Sequence, residues 1–138
     1  MPRYSADRLT TFRDGSTACT ATEAAGTNKI LLPPGEYKVE VDVPGAPTGT
    51  SPTLVVSFSE AADGATWAAA TATSLTPSTT ARSVQTGYLR VSAQANAGVT
   101  ANVTAVCTVG GTTPSFPSVF IGATPLNRGG TSGFDGRP

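Results

Sequence analysis

The chain has no histidine, two cysteines, one methionine, one tryptophan and only 13% charged residues. Without histidine it lacks the commonest general base and the commonest transition-metal ligand, and with them the usual catalytic triads. Nine basic and nine acidic side chains cancel to zero net charge, and a pI near 6.1 leaves no basic surface able to neutralise several phosphates. Sequence-independent nucleic-acid binding and attraction to membrane surfaces are disfavoured for the same reason. No apolar run approaches the roughly 20 residues of a membrane span. Residues 1–8 lack the apolar stretch a signal peptide needs. The expectation is a soluble chain made and retained in a cytoplasm.

What is present points to strands and turns. Thr, Ala, Ser and Gly make up about half of the 138 residues. Thr and Val suit a pleated, half-buried surface, whereas helix formers other than Ala are few. The length fits one domain. Disorder is the competing outcome for so many small polar residues, but neutrality and clear apolar alternation favour a folded β domain.

The alternation is sharpest in Tyr37-Lys38-Val39-Glu40-Val41-Asp42-Val43, where odd positions are apolar and even ones charged. That is the period-2 mark of one buried and one solvated face. Before it, Asn28 to Leu32 is a short apolar run stopped by the Pro33-Pro34-Gly35 turn, and Ser16 to Glu23 alternates weakly. After it, residues 44–52 carry three prolines and read as a loop. Thr53 to Glu60 is the next strand, with Leu54, Val56 and Phe58 on one face, and Asp63-Gly64 signals a hairpin whose return begins at Thr66-Trp67-Ala68. Ala81 to Gln85 and Tyr88 to Gln94 read as two strands separated by Thr86-Gly87, and Val99 to Val109 as the longest strand. The pattern predicts an antiparallel β-sandwich or jelly roll of about seven to eight strands. It is expected to span residues 16–109, with an N-terminal arm at 1–15 and an extended C-terminal tail at 110–138. A Gly/Pro-rich tail of that kind is expected to be held by a neighbouring subunit or a partner surface.

Chemistry-bearing residues are sparse. Cys19 and Cys107 fall on the first and last core strands, so a disulfide is sterically conceivable. The missing export signal favours two buried reduced thiols instead. Two cysteines without histidine do not make a zinc site, so neither a metal nor a cofactor is expected. Asp42, Glu60 and Asp63 lack the spacing of a calcium loop and read as solvated surface carboxylates. Gly110-Gly111 and Gly129-Gly130 read as turns rather than phosphate cradles. Trp67, Tyr37 and Tyr88 suggest a sugar-binding platform, although packing of aromatic residues in strands is the commoner use. Arg90 is suited to a carboxylate across the sheet or to a partner. No catalytic residue is assigned, and an enzyme is the least expected class.

Pro52-Thr53-Leu54-Val55-Val56, then Ala62-Asp63-Gly64-Ala65-Thr66-Trp67, then Tyr88-Leu89-Arg90-Val91 and an alternating closing strand follow one another along residues 53–109. This order resembles small structural proteins encoded in the head-gene clusters of tailed bacteriophages. The resemblance implies a capsid decoration, or cement, protein: a β-sandwich, often trimeric, that sits on the major capsid protein of the assembled shell and stabilises it against internal DNA pressure. It implies synthesis in the host cytoplasm, a place on the virion's capsid surface, and no direct contact with nucleic acid or membrane. Extended arms laid over neighbouring subunits gain binding area, and multiplicity adds avidity. On that reading the apolar anchors are Phe116, Val119, Phe120, Ile121 and Leu126 in the tail, with Tyr4, Leu9 and Phe12 in the N-terminal arm. The tail is then dispensable for folding and required for association. A phage tail or fibre-associated module and a carbohydrate-binding or adhesion domain are the alternatives.

Overall fold

The structure, a computed structural model, describes residues 9–61, 66–69, 71–72, 74–80, 82–91 and 101–126. These contain no helix and form nine strands. They are β1 (Thr10–Asp14), β2 (Asn28–Leu32), β3 (Gly35–Val43), β4 (Thr48–Ala61), β5 (Ala68–Ala69), β6 (Thr71–Ala72), β7 (Ser83–Val91), β8 (Ala101–Ser115) and β9 (Phe120–Pro125). A five-stranded sheet has the order β1-β9-β3-β7-β6 and a four-stranded sheet the order β2-β8-β4-β5. Every pairing is antiparallel. The expected all-β sandwich is therefore the architecture observed, with seven strands of five residues or more and two short ones.

The core lies between the sheets and follows directly from the alternation. Tyr37, Val39, Val41 and Val43 of β3 point inward beside Leu89 and Val91 of β7 and Ile121 and Ala123 of β9. They meet Leu54, Val56 and Phe58 of β4 and Val103, Ala105 and Cys107 of β8. Large residues stand opposite small ones, as in the register pair Phe58 and Ala105. The sheets touch directly where the Phe12 and Phe58 rings pack edge to face, centroids 5.6 Å apart. Each such buried side chain contributes on the order of 1.5–3 kcal/mol.

Several boundaries differ from the sequence reading, each for a visible reason. Residues 10–14 are not an arm but the edge strand β1, which pairs with β9. Residues 110–126 are not a tail: 110–115 complete β8, Phe116 forms a bridge with Cys19, and β9 lies between β1 and β3. Phe120 and Ile121, expected as anchors in that tail, thus open a strand whose alternate residues Ile121 and Ala123 enter the core. Ser16 to Glu23 forms no strand apart from that bridge, and crosses from the edge of one sheet to the edge of the other.

The proposed loop at 44–52 is mostly the start of β4. Its ladder with β8 joins Thr50 to Thr112 and Thr53 to Gly110, shifting register on either side, so that Pro52 owes no ladder bond. Gly49 and Gly111 sit at these irregularities with positive φ, and a Cβ on either would fall within 3 Å of carbonyl oxygens on the opposite strand. Gly110-Gly111 is accordingly part of a strand and not a turn. Thr86-Gly87 does not divide two strands either. Gly87 faces inward within β7, where a Cβ would lie 3.0 Å from Leu75 Cδ2. The missing side chain makes room for Leu75, which bridges to Val56 in the other sheet.

The phenol of Tyr37 is buried and donates to Pro33 O at 2.6 Å. Burial pushes its pKa from 10.0 up to about 12. A neutral Tyr37 therefore supports the fold fully below pH 10, and this support is lost as pH rises toward about 12, at up to about 1.4 kcal/mol per pH unit. Urea titrations between pH 9 and about 12 should show that decline in wild type and a shallower one in Tyr37→Phe, which also loses about 1 kcal/mol at neutral pH with the hydrogen bond. A chain ending at Thr112 lacks β9 and should fail to fold, whereas one ending at Leu126 should retain cooperative thermal unfolding by circular dichroism. Equal melting of the two would remove β9 from the account.

Candidate interaction surface

The two outer faces of the sandwich differ. On the four-stranded sheet, Thr104 points outward yet is fully buried, because Gly26 N donates to its Oγ1 at 2.9 Å and the chain around Gly26 lies over it. Trp67 in turn packs on Gly26, its ring 3.4 Å from where a Cβ would be. This face is partly covered by the protein's own crossing segment.

The outer face of the five-stranded sheet carries its side chains toward solvent. Register sets Glu36 beside Arg90, Lys38 beside Tyr88, Glu40 beside Thr86 and Asp42 beside Val84, with β9 on the other flank placing Thr124, Gly122 and Phe120 next to Lys38, Glu40 and Asp42. Among the described residues the exposed large apolar side chains are Tyr88 (68%), Leu31 (59%), Leu9 (50%) and Val84 (48%). Tyr88 and Val84 lie on this face. So does Leu9, whose Cδ1 stands 2.8 Å from the Cβ position of Gly122, alongside the Phe120 ring at 3.0 Å. The absent side chain of Gly122 thereby lets Leu9 and Phe120 lie flat across the sheet. Asp42 adds a polar element: Arg82 approaches its Oδ2 at 3.5 Å, while its Oδ1 is covered and has no hydrogen-bond partner among the described residues.

The residues expected as apolar anchors divide by strand parity. Phe12, Phe116, Val119 and Ile121 are buried in this chain's own core and cannot reach a partner without unfolding it. Leu9 and Phe120 reach the outer face, and Leu126 is half-buried, its backbone N donating to Glu36 O at 2.9 Å. Tyr4 lies outside the described residues. Val84 was missed, although its place opposite Asp42 on a solvated face follows from alternation. The suggested aromatic platform does not assemble: Tyr37 is in the core, Trp67 lies against Gly26, and Tyr88 alone is on the open face. Glu60, expected on the surface, is buried, because it continues the inward series Leu54, Val56, Phe58. Asp63 and Gly129-Gly130 lie outside the described residues.

A second cluster is internal. Arg13 is buried at the β1 edge, turned by the register shift between Thr11 and Arg13. Its Nη1 donates to Thr17 O at 2.9 Å and Val119 O at 3.0 Å, its Nη2 to Ala18 O at 3.1 Å, and its Nε to Glu23 Oε2 at 3.2 Å. Glu23 Oε1 accepts from Asn28 Nδ2 at 2.7 Å. Behind this ion pair lie Cys19 and Cys107, both free thiols. Their sulfurs and a Glu23 oxygen lie within 4.8 Å of one another. Hydrogen bonding from the Cys107 thiol holds Cys19 below its ordinary pKa, and the same bond with burial raises Cys107.

In comparison with known proteins, no family model, curated protein or solved structure matches the chain.

Arg13→Met removes the donors that satisfy three carbonyls and the Glu23 carboxylate. Breaking a buried pair from one side is costly, so urea unfolding should show a loss of about 3–5 kcal/mol. A loss below about 1 kcal/mol would match an exposed pair instead.

Proposed function

We propose that the chain is a structural virion protein that docks on the outer surface of a tailed-phage capsid and stabilises the shell, without a catalytic role. The observation that carries the docking part is the open face of the five-stranded sheet. Tyr88 stands out from it on β7 beside the charged side chains of Glu36, Lys38 and Arg90, with Val84, Leu9 and Phe120 extending the apolar area. A rigid aromatic side chain with a polar tip, ringed by charged groups that set orientation, is the composition of a protein-docking surface. The phage part is supported by the resemblance carried by Pro52 to Val56, Ala62 to Trp67 and Tyr88 to Val91. That last motif places Tyr88 and Arg90 outward and Leu89 and Val91 inward. On this reading the major capsid protein is the partner, and a homo-oligomer, with a trimer favoured, presents several copies of the face. Modest single-site affinity is then multiplied by attachment at several points.

A carbohydrate-binding role would be better served by several exposed rings side by side than by Tyr88 and a half-buried Phe120 separated by β3. A tail or fibre module shares the sandwich, and differs in where the protein sits in the virion.

The test is co-sedimentation of purified full-length protein with undecorated phage shells, with solution mass measured in parallel. Wild type and Leu31→Ala, altered on the opposite sheet, should bind saturably, while Tyr88→Ala should bind at least about thirtyfold more weakly with unchanged melting. Absence of wild-type binding would discard the capsid reading. Equal binding by Tyr88→Ala would move the contact to another surface.

A further inference from the structure

The paired thiols behind Arg13 play no part in the docking surface, yet they are held in place with unusual completeness. Cys19 exchanges two backbone hydrogen bonds with Phe116, at 2.8 and 2.9 Å, and Glu23 N donates to Cys107 O at 3.0 Å. The segment bearing Cys19 is thus tied through Cys19 to Phe116, just beyond the end of β8, and through Glu23 to Cys107 within β8. The two sulfurs lie within 4.8 Å of each other, and both residues are buried, Cys19 at 2% and Cys107 at 0% exposure.

We infer that Cys19 and Cys107 form a built-in cross-linking site, which a peroxide converts to an intramolecular disulfide that locks the crossing segment between β1 and β2 onto β8. The surroundings favour this over metal binding. A cation would require two buried thiolates and would face the Arg13 guanidinium, while both Glu23 oxygens already accept hydrogen bonds. A disulfide is neutral and leaves the Arg13–Glu23 pair intact.

The two cysteines have different roles. Cys107 sits within a sheet, whereas Cys19 lies on a segment at the sandwich edge, held there by the bridge to Phe116, whose transient opening would admit a small oxidant. Cys19 is also the thiol whose anion is stabilised. Its thiolate attacks one peroxide oxygen, the O–O bond breaks, and hydroxide leaves a sulfenic acid at Cys19. The Cys107 sulfur then attacks the Cys19 sulfur, the S–S bond forms, and the hydroxyl departs with the Cys107 proton as water. In sum two thiols lose two electrons and two protons, and hydrogen peroxide becomes two waters. The bond closes a loop of about ninety residues in the unfolded chain, long enough for a large loss of unfolded-state entropy. The inference is independent of the capsid reading.

The test treats full-length protein with hydrogen peroxide, and a second sample with zinc ion under reducing conditions. Thiols are counted after denaturation, alongside intact mass, non-reducing electrophoresis and thermal melting. The expected result is a fall from two free thiols to none, loss of two hydrogens in mass, a monomeric band, and a melting temperature higher by roughly 10 °C that dithiothreitol reverses. Cys107→Ala should stop at a sulfenic acid trapped by dimedone, and Cys19→Ala should resist oxidation. Persistence of both thiols, cross-linked dimers alone, or a disulfide without a rise in melting temperature would overturn the inference. Stoichiometric zinc binding that shields both thiols from peroxide would overturn it too, and reassign the pair as metal ligands.

Discussion

The placement of β9 between β1 and β3 is the constraint on which the rest of the structure depends. Strand β1 pairs with β9 and with no other strand, so the start of the described chain has no place in the sheet until its end arrives. The approach to β9 matters equally. Phe116 is fully buried and bridges Cys19, Val119 is fully buried, and Val119 O accepts from Arg13. One run of about ten residues thus completes a sheet, fills the core and anchors the segment that closes the sandwich edge.

That closed edge has an unusual composition for a small β domain. Where apolar packing would leave several backbone carbonyls unsatisfied, a single guanidinium reaches Thr17 O, Ala18 O and Val119 O and pairs with Glu23. A buried ion pair is a weak source of net stability compared with an apolar replacement, but its fixed geometry selects one path for the crossing segment. That path brings Cys19 to Cys107. Chemistry at the thiols and the shape of the edge therefore share one cause.

The opposite property, an uncovered face, belongs to the five-stranded sheet. On the four-stranded sheet the crossing segment and Trp67 lie over Thr104, whereas no such cover lies over Tyr88 and its neighbours among the described residues. Small residues shape this face as much as large ones: at Gly122 any side chain would lift Leu9 and Phe120 off the sheet. Side chains presented on paired strands lose little conformational freedom on docking, an advantage under the proposed docking role.

Local alternation was enough to identify the all-β class, the strand at 28–32 and most of β3, β4 and β8, because the period-2 pattern reflects burial on one face and needs no distant partner. What it did not contain was which face finds a partner in the same chain. Residues 10–14 and 120–125 are unremarkable alone and become strands by pairing with each other across more than a hundred positions, and 120–125 also by pairing with β3. The turn-like glycines and Pro52 were misleading because a bulged ladder accommodates them, and Gly87 because Leu75 needs its space. Arg13, adjacent in sequence to Asp14-Gly15, carried no local mark of burial. Its four acceptors are residues 17, 18, 23 and 119. The residue types and their period are properties of neighbours along the chain, while the core, the buried ion pair, the thiol pair and the open face exist only once non-local strands are joined.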